Sequence, residues 1–363
     1  MTGSSLTTGS LAATVRLLQA PGTSGTRDDP DDAHGDVAEE LDVGTVRAAV
    51  RLASRAPSVH NTQPWHCVLL GATLHLHTDR ERWLPRTDPD ARDLVVSCGA
   101  FLHHLEVALA AAGVGTRLHR LPNPADPDHL AALELRPGTT DVVAIRRASL
   151  LERRRSDRRP YADASLPDFI RRQLFAVASR QGVLLRVADA AFVRDRLVPL
   201  QRDASREQED DPGYQHELAL WTGRHGGPDG IATGSLLEPT GGPWDRDRAF
   251  PDGDVAVPVG TAPDGAAIAV LATSSDDQVS RLHAGEALAA VLLEATALGL
   301  ASCPLSQPVE VTSTRLHLRD DLLDGRMSPQ VLVRLGRPQT GLALPPTPRR
   351  DVEDVLQVGR AER

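Results

Sequence analysis

The sequence predicts an α+β fold, an α/β sandwich with helices around central mixed sheets, and predicts it in duplicate within 363 residues. Three observations carry this expectation. Apolar patterns of helical and of strand period alternate along the chain from about residue 43 to 357. Two long apolar helices match each other: Gly99 with Gly285, Leu102 with Leu288 and Gly113 with Gly299, each pair 186 residues apart. An offset of about half the chain is no solenoid period and points to a duplicated domain. Finally, one short loop, Pro57 to Pro64, carries Ser58, His60, Asn61, Thr62 and Gln63 between a helix and a strand, a usual place for ligand chemistry.

Composition narrows the class. Hydrophobic content of 40% and charged content of 25% are those of a soluble globular protein. A net charge of −9 argues against a nucleic-acid partner. The chain has no lysine, so all 40 of its basic residues are arginines, the side chain best shaped for bidentate phosphate contacts. Cys67, Cys98 and Cys303 have no C-x-x-C spacing, which fits a reduced cytoplasmic protein without structural zinc. No apolar run reaches the ~18 residues of a membrane span, and no basic region precedes the apolar stretch near the N-terminus.

Taken in order, residues 1–42 read as a flexible acidic segment, marked by Asp28-Asp29-Pro30-Asp31-Asp32. Val46, Ala49, Val50 and Ala53 then set a helical period. Pro57 ends that helix, because a proline disfavours αR at the residue before it. Pro64 opens a strand over Trp65–Leu70, since a strand can begin without a donor. Leu74-His75-Leu76-His77 alternates as a second strand; the histidine pair lacks an acidic or cysteine partner at ligand spacing, so no metal site is predicted. Thr87-Asp88-Pro89-Asp90 supplies a cap and an early proline for a long helix that stops at Gly113. Strands over 117–121 and 130–135 and a helix over 142–153 complete a first half, 43–150.

A second half, 151–357, opens on Arg153-Arg154-Arg155-Ser156-Asp157-Arg158-Arg159-Pro160-Tyr161. Helix 166–179, strand 183–187 and helix 190–206 follow. From 207 to 254 the composition shifts to Gly, Pro, Asp and Arg, with Tyr214, Leu218, Trp221, Trp244 and Phe250 as apolar anchors. A segment this long is either disordered or functional, and its aromatic anchors make it an ordered lid with Trp221 placed to close over a ligand. Strand 266–273, the matching helix from Asp276 to Gly299, the loop Cys303–Pro308, strand 331–335 and the basic extension Thr347-Pro348-Arg349-Arg350 finish the chain.

Ala56-Pro57-Ser58-Val59-His60-Asn61-Thr62-Gln63-Pro64-Trp65 resembles the A-P-S-x-x-N-x-Q-P-W signature of the flavin-dependent nitroreductase superfamily. Arg154-Arg155-Ser156-Asp157-Arg158 resembles the R-R-S-x-R element that opens ordinary nitroreductases and holds the FMN phosphate. Those proteins are obligate homodimers whose flavin sites take the loop from one subunit and the arginine element from the other. Here the first half keeps only the loop and the second half only the arginines. The chain is therefore similar to the dormancy-associated Acg-type group, a fused dimer in one chain with a single complete site and a lid. The resemblance implies FMN held by Pro57, Ser58, Val59 and Asn61 at the ring, and by Arg154, Arg155, Ser156, Arg158, Arg349 and Arg350 at the phosphate. It implies an apolar wall from Pro304, Leu305, Ser306 and Gln307, with a backbone N–H there facing flavin N5. The family's two C-terminal basic residues flank another residue, whereas Arg349 and Arg350 are adjacent, so the resemblance carries over to Arg350 in preference to Arg349. Asp157, at the variable position, must turn its carboxylate away from a phosphate.

The implied activity is NAD(P)H-dependent reduction of a nitro compound, quinone or similar small acceptor, with NADPH or NADH as donor. No acid–base side chain is needed for hydride transfer, so none is assigned as catalytic. The lid raises an alternative, a protein that stores or sequesters FMN with little reductase activity. Duplication predicts a monomer that mimics a homodimer.

Overall fold

The computed structural model describes residues 42–140, 142–162, 166–222, 227–231, 264–339 and 344–359; the acidic segment before residue 42, with Trp244 and Phe250, lies outside the described residues. Asp42 caps the first helix, α1 (Val43–Ala53), its carboxylate accepting from the Gly44 and Thr45 amides. Val46, Ala49, Val50 and Ala53 are fully buried, as their helical spacing predicts.

Two five-stranded sheets form the centre. The first runs in the order β10 (Leu356–Gly359), β1 (Trp65–Leu70), β2 (Thr73–Thr78), β4 (His129–Pro137), β3 (Val114–Arg120). The second runs β5 (Tyr161–Ala162), β9 (Ser328–Pro338), β7 (Ala267–Thr273), β6 (Leu184–Val187), with β8 (Ala301–Leu305) also on β9. β10 pairs in parallel with β1, Cys67 against Leu356, while the other pairings are antiparallel. The C-terminal strand thus crosses back to the first half, where Val352, Val355 and Leu356 join its core.

Between the sheets lie α2 (Arg92–Ala111) and the matching helix, here α8 (Gln278–Ala297). They cross at their glycines. A Cβ on Gly99 would stand 2.2 Å from the Leu282 carbonyl oxygen, and one on Gly285 2.0 Å from that of Val96. Only glycine permits that approach. Gly113 and Gly299, just past the two helices, have φ of +76° and +72°, the left-handed stop that glycine favours. By length and mean hydropathy α2 would span a membrane, which a search for an uninterrupted apolar run passes over; 83% of its apolar window is buried inside the protein.

Three segments differ from the sequence reading. Residues 207–221, expected as the start of a long loop, are helical but for Asp210 and Asp211: α6 (Val198–Glu209) continues two residues past 207, and α7 (Pro212–Trp221) follows, with Asp211 at its N-cap and Pro212 at its start. Upstream, α5 (Ala190–Phe192) enters α6 through a π-turn over Val193–Leu197. The loop expected at Cys303–Pro308 is instead the end of β8 and a short helix, α9 (Gln307–Glu310). Pro304 is tolerated in β8 because that strand pairs on one side only, with β9. The remaining helices are α3 (Val142–Arg153), α4 (Asp168–Ser179), α10 (Thr312–Leu323) and α11 (Val352–Val355).

On β2 and β4, His75 Nδ1 lies 3.0 Å from His129 Nε2, and the His77 and His129 rings stack at 4.3 Å. Among the described residues no group of three or more His, Cys, Asp or Glu is arranged to hold a metal ion.

Candidate functional site

The polar loop folds into a 3-10 turn over Val59–Asn61 with an unusual backbone. His60, Asn61 and Gln63 have φ of +48°, +55° and +52°. Asn and His visit the left-handed region more readily than most residues, but three such residues in four positions require support. Ser58 Oγ accepts from the Gln63 amide at 2.9 Å, and Ser97 Oγ on α2 accepts from the Val59 amide at 3.3 Å. Asn61 Nδ2 donates to the Gly230 carbonyl at 3.0 Å and the Pro348 carbonyl at 3.3 Å. Gln63 Nε2 donates to the Pro228 carbonyl at 2.9 Å. The loop is therefore clasped between the 228–230 turn of the expected lid and the C-terminal arm.

The arginine element sits against the same loop. Asp157 N donates to the Ser302 carbonyl at 2.9 Å, running the element along β8, and Arg154 Nη2 donates to the Arg55 carbonyl at 3.2 Å. Arg349, from the C-terminal arm, wraps the end of α1. Its Nε meets the Ser54 carbonyl at 2.6 Å, and its Nη2 those of Arg55 and Ala56 at 3.2 and 3.1 Å. Carbonyls at a helix C-terminus welcome a cation. Arg55, Arg154, Arg155 and Arg349 thus converge in one place with no ion-pair partner among the described residues.

Electrostatics register that crowding. Burial, then Arg154, Arg55 and Arg155, hold the Arg349 guanidinium well below its usual range. Arg154, only 4% exposed, is brought down to about 10 by burial and then by Arg155. Arg154 Nε and Nη1 and Arg155 Nε are buried without a hydrogen-bond partner. Buried donors left unpaired are rare and costly, and a buried unpaired charge more so. His104 on α2 stands beside Arg154 and Arg349, and burial followed by Arg154 keeps it neutral.

The other expected residues are placed as follows. Asp157 turns its carboxylate onto Arg159, accepting from Nε at 2.9 Å and Nη2 at 2.7 Å, and so faces away from the cluster. Arg158 lies past the turn, its carbonyl accepting from Arg334 Nη1 at 3.2 Å. Ser156 is half-buried between them. The expected preference for Arg350 over Arg349 is reversed: Arg349 joins the cluster, while Arg350 is drawn off to Asp79 at 3.3 Å and donates to the Gln63 carbonyl at 3.1 Å. Pro304 and Leu305 are half-buried on β8, which Arg154 meets near Cys303. Ser306 Oγ donates to Glu310 Oε1 at 2.6 Å, and the Gln307 amide turns toward α6, donating to Gln208 Oε1 at 2.7 Å. Trp221 lies over the Arg82 guanidinium at 5.6 Å, and Arg82 in turn pairs with Asp229 and donates to the Thr62 carbonyl at 2.7 Å.

Sequence reasoning missed two participants. Arg55 adjoins the signature and could have been found by its position; its meeting with residues 154, 155 and 349 could not. Glu217 on α7 is buried and accepts from the Thr87 amide at 2.8 Å and the Arg86 amide at 3.1 Å, fixing α7 to the turn before α2. Asp88 caps the long helix as expected, accepting from the Arg92 and Leu94 amides at 2.7 and 2.9 Å, with its carboxyl raised to about 6 by burial, but α2 begins only at Arg92, so Pro89 lies before the helix and not in its first turn.

No family model matches the chain. Its curated relatives are close in length. The Mycobacterium tuberculosis protein named "Putative NAD(P)H nitroreductase Rv3131" is 39% identical over 321 residues, 87% of this chain and 92% of the relative. "Putative NAD(P)H nitroreductase acg" from the same organism is 35% identical over 325 residues, 86% and 95% of the two chains. Among solved structures, the FMN-dependent nitroreductase NfnB of Mycobacterium smegmatis, in complex with NADPH, aligns with 61% of this chain and all of its own. It does so at 18% identity and a TM-score of 0.38, so family membership rests on the sequence relatives.

Proposed function

The chain belongs to the nitroreductase family, in the group that includes Acg, and from that membership we propose that it is a one-flavin NAD(P)H oxidoreductase reducing small acceptors such as nitro compounds or quinones. The observation that carries the reading is the arginine cluster. Arg154 Nε and Nη1 and Arg155 Nε are unpartnered buried donors, and among the described residues none of the four arginines makes an ion pair, the Glu152 carboxylate acting on Arg155 without pairing with it. An FMN phosphate supplies the missing acceptors and the missing charge at once, each charge-assisted hydrogen bond contributing about 1.5–3 kcal/mol. Arg349 and Arg55 add positive potential behind it. The Ser58–Gln63 loop and the β8 end at Pro304 and Leu305 are the elements left to hold the ring. Bound flavin would take hydride from a nicotinamide and pass electrons to the acceptor, while the chain positions the ring and tunes its potential.

FMN content tests this directly. The purified chain carries one FMN per chain. Arg154→Glu loses it, because repulsion is added to lost contacts. Arg153→Glu, at an exposed neighbour, keeps it. Two flavins per chain, or full occupancy in Arg154→Glu, would overturn the reading.

One observation favours a second reading, FMN storage with restricted turnover. Asn61, Gln63 and Arg82 are all tied to residues 228–230, so the described part of the lid grips the ring loop itself. A steady-state assay with NADPH, NADH and a quinone separates the two: oxidation of a nicotinamide supports the reductase, and its absence from FMN-loaded protein supports storage.

A further inference from the structure

Behind the β8 end lies a buried row of side-chain amides. Gln201 and Gln208, on α6, are 2% and 6% exposed, and Gln307 and Glu310, on α9, are 5% and 7%. Glu310 Oε1 accepts from Ser306 Oγ at 2.6 Å, and Glu310 Oε2 accepts from Gln208 Nε2 at 2.7 Å. Gln208 Oε1 accepts from Gln307 Nε2 at 2.7 Å, and Gln307 Oε1 accepts from Gln201 Nε2. Gln201 Oε1, at the far end, is buried without a partner.

The direction of this row follows from one residue. Both Glu310 oxygens accept, from Ser306 and Gln208, whereas a glutamine amide presents an acceptor and a donor group on opposite sides and can flip. With Glu310 at one end, Gln208 must turn its NH2 toward it and its carbonyl away. Gln307 must then offer NH2 to Gln208, and Gln201 must offer NH2 to Gln307. Three flips are fixed by one acceptor. The orphaned Gln201 carbonyl is what this direction leaves over, since its NH2 is already engaged. Glu310 also holds Ser306 directly, so both ends of the Ser306–Gln307 step are tied into the row.

We infer that Glu310, Gln208 and Gln201 are positioning residues that fix the orientation of Ser306 and Gln307 beside the flavin. This rests on the reading of 304–307 as the flavin-facing element. None of the three need touch the flavin; they set the backbone step that does.

The test uses the full-length chain loaded with FMN. Glu310→Gln removes the acceptor-only end and lets the row flip as a unit. The flip conserves the number of hydrogen bonds but reverses the groups that Gln307 presents, and FMN release should quicken severalfold as the Ser306–Gln307 step shifts. The visible flavin spectrum and midpoint potential should shift with it. The exchange Gln208→Glu with Glu310→Gln restores an acceptor-only group against Gln307 Nε2, so spectrum and potential should return to those of the parent. An unchanged spectrum and potential in Glu310→Gln overturns the inference, as does a shift that the exchange fails to reverse. Nitrogen-15 glutamine labelling of the unmutated chain gives a reading without any variant. The Gln307 amide protons must show NOEs to the Gln208 side chain, and protons placed toward Gln201 instead overturn the direction. Retention of FMN by Arg154→Glu would overturn the flavin reading and this role together. FMN loss there with an unchanged Glu310→Gln spectrum overturns the positioning role alone.

Discussion

At the scale of single residues, the chain buries charge where partners are scarce, and the consequences are measurable. Arg154 is one case. Glu106 on α2 is another, pushed up to about 7 by burial and then by Glu286, with Arg120 opposing. Glu286 itself is fully buried and bound by Arg120 through Nε at 3.0 Å and Nη2 at 2.9 Å. Because the folded chain holds the Glu106 proton more tightly than the unfolded chain does, it gains stability from Glu106 only while the proton is present. That contribution is fully present below the unfolded pKa near 4.5 and is lost as pH rises through about 7. Glu106→Gln should therefore raise the melting temperature at pH 8, by an amount worth about 1–3 kcal/mol, and flatten the dependence between pH 5 and 7. Thermal melts across that range check it; a variant with the parent's pH profile would show that Glu106 is not the titrating group. The residues of the ring loop and of the arginine element were legible as a pattern of side chains with phosphate and amide chemistry. Which arginine of the Arg349–Arg350 pair joins the cluster was not, because the arm's path past Gln63 decides it, and that path depends on contacts 287 residues away.

At the scale of elements, periodicity located most helices and strands because burial dictates it. The two glycine-matched helices show how far such reading reaches. Spacing predicted close packing at Gly99 and Gly285, and the backbones meet there. Gly285→Ala should destabilise the chain by roughly 2–4 kcal/mol, since a Cβ 2.0 Å from the Val96 carbonyl cannot be relieved by a rotamer change. An unaltered denaturant midpoint would mean that the helices can slide apart at no cost. Helix α7 marks where reading stopped. Its first residues, Pro212 and Gly213, look like loop, yet Pro at the first helical position behind an Asp cap is a helix start. What stabilises it is a long-range contact, the buried Glu217 carboxylate on Thr87 and Arg86, which no local pattern encodes. Glu217→Ala removes three hydrogen bonds, including that from Thr87 Oγ1 at 2.7 Å. It should loosen the cover and speed FMN release severalfold. Stopped-flow release equal to that of the parent would show that α7 does not restrain the site.

At the scale of the whole molecule, one arrangement connects the two sheets, the two glycine-crossed helices and the arginine cluster. Leu282, Ala289 and Leu293 of α8 belong to the same apolar cluster as α1, α2 and the first sheet, so the halves share a core inside one chain. The C-terminal arm carries Arg349 across to α1 and ends as β10 on β1. On the fused-dimer reading we propose, these contacts stand in for those that two separate subunits would make with each other. On that reading covalent linkage replaces association, and α2 packed against α8 covers the apolar surface that would drive it. A chain so arranged should be a monomer. Light scattering at low micromolar concentration should give a mass near the 38.9 kDa of one chain, unchanged on dilution and with or without FMN. A mass of twice that value, persisting on dilution, would mean that the duplicated halves had not replaced the partner subunit, and the complementary-halves account of the single site would fall with it.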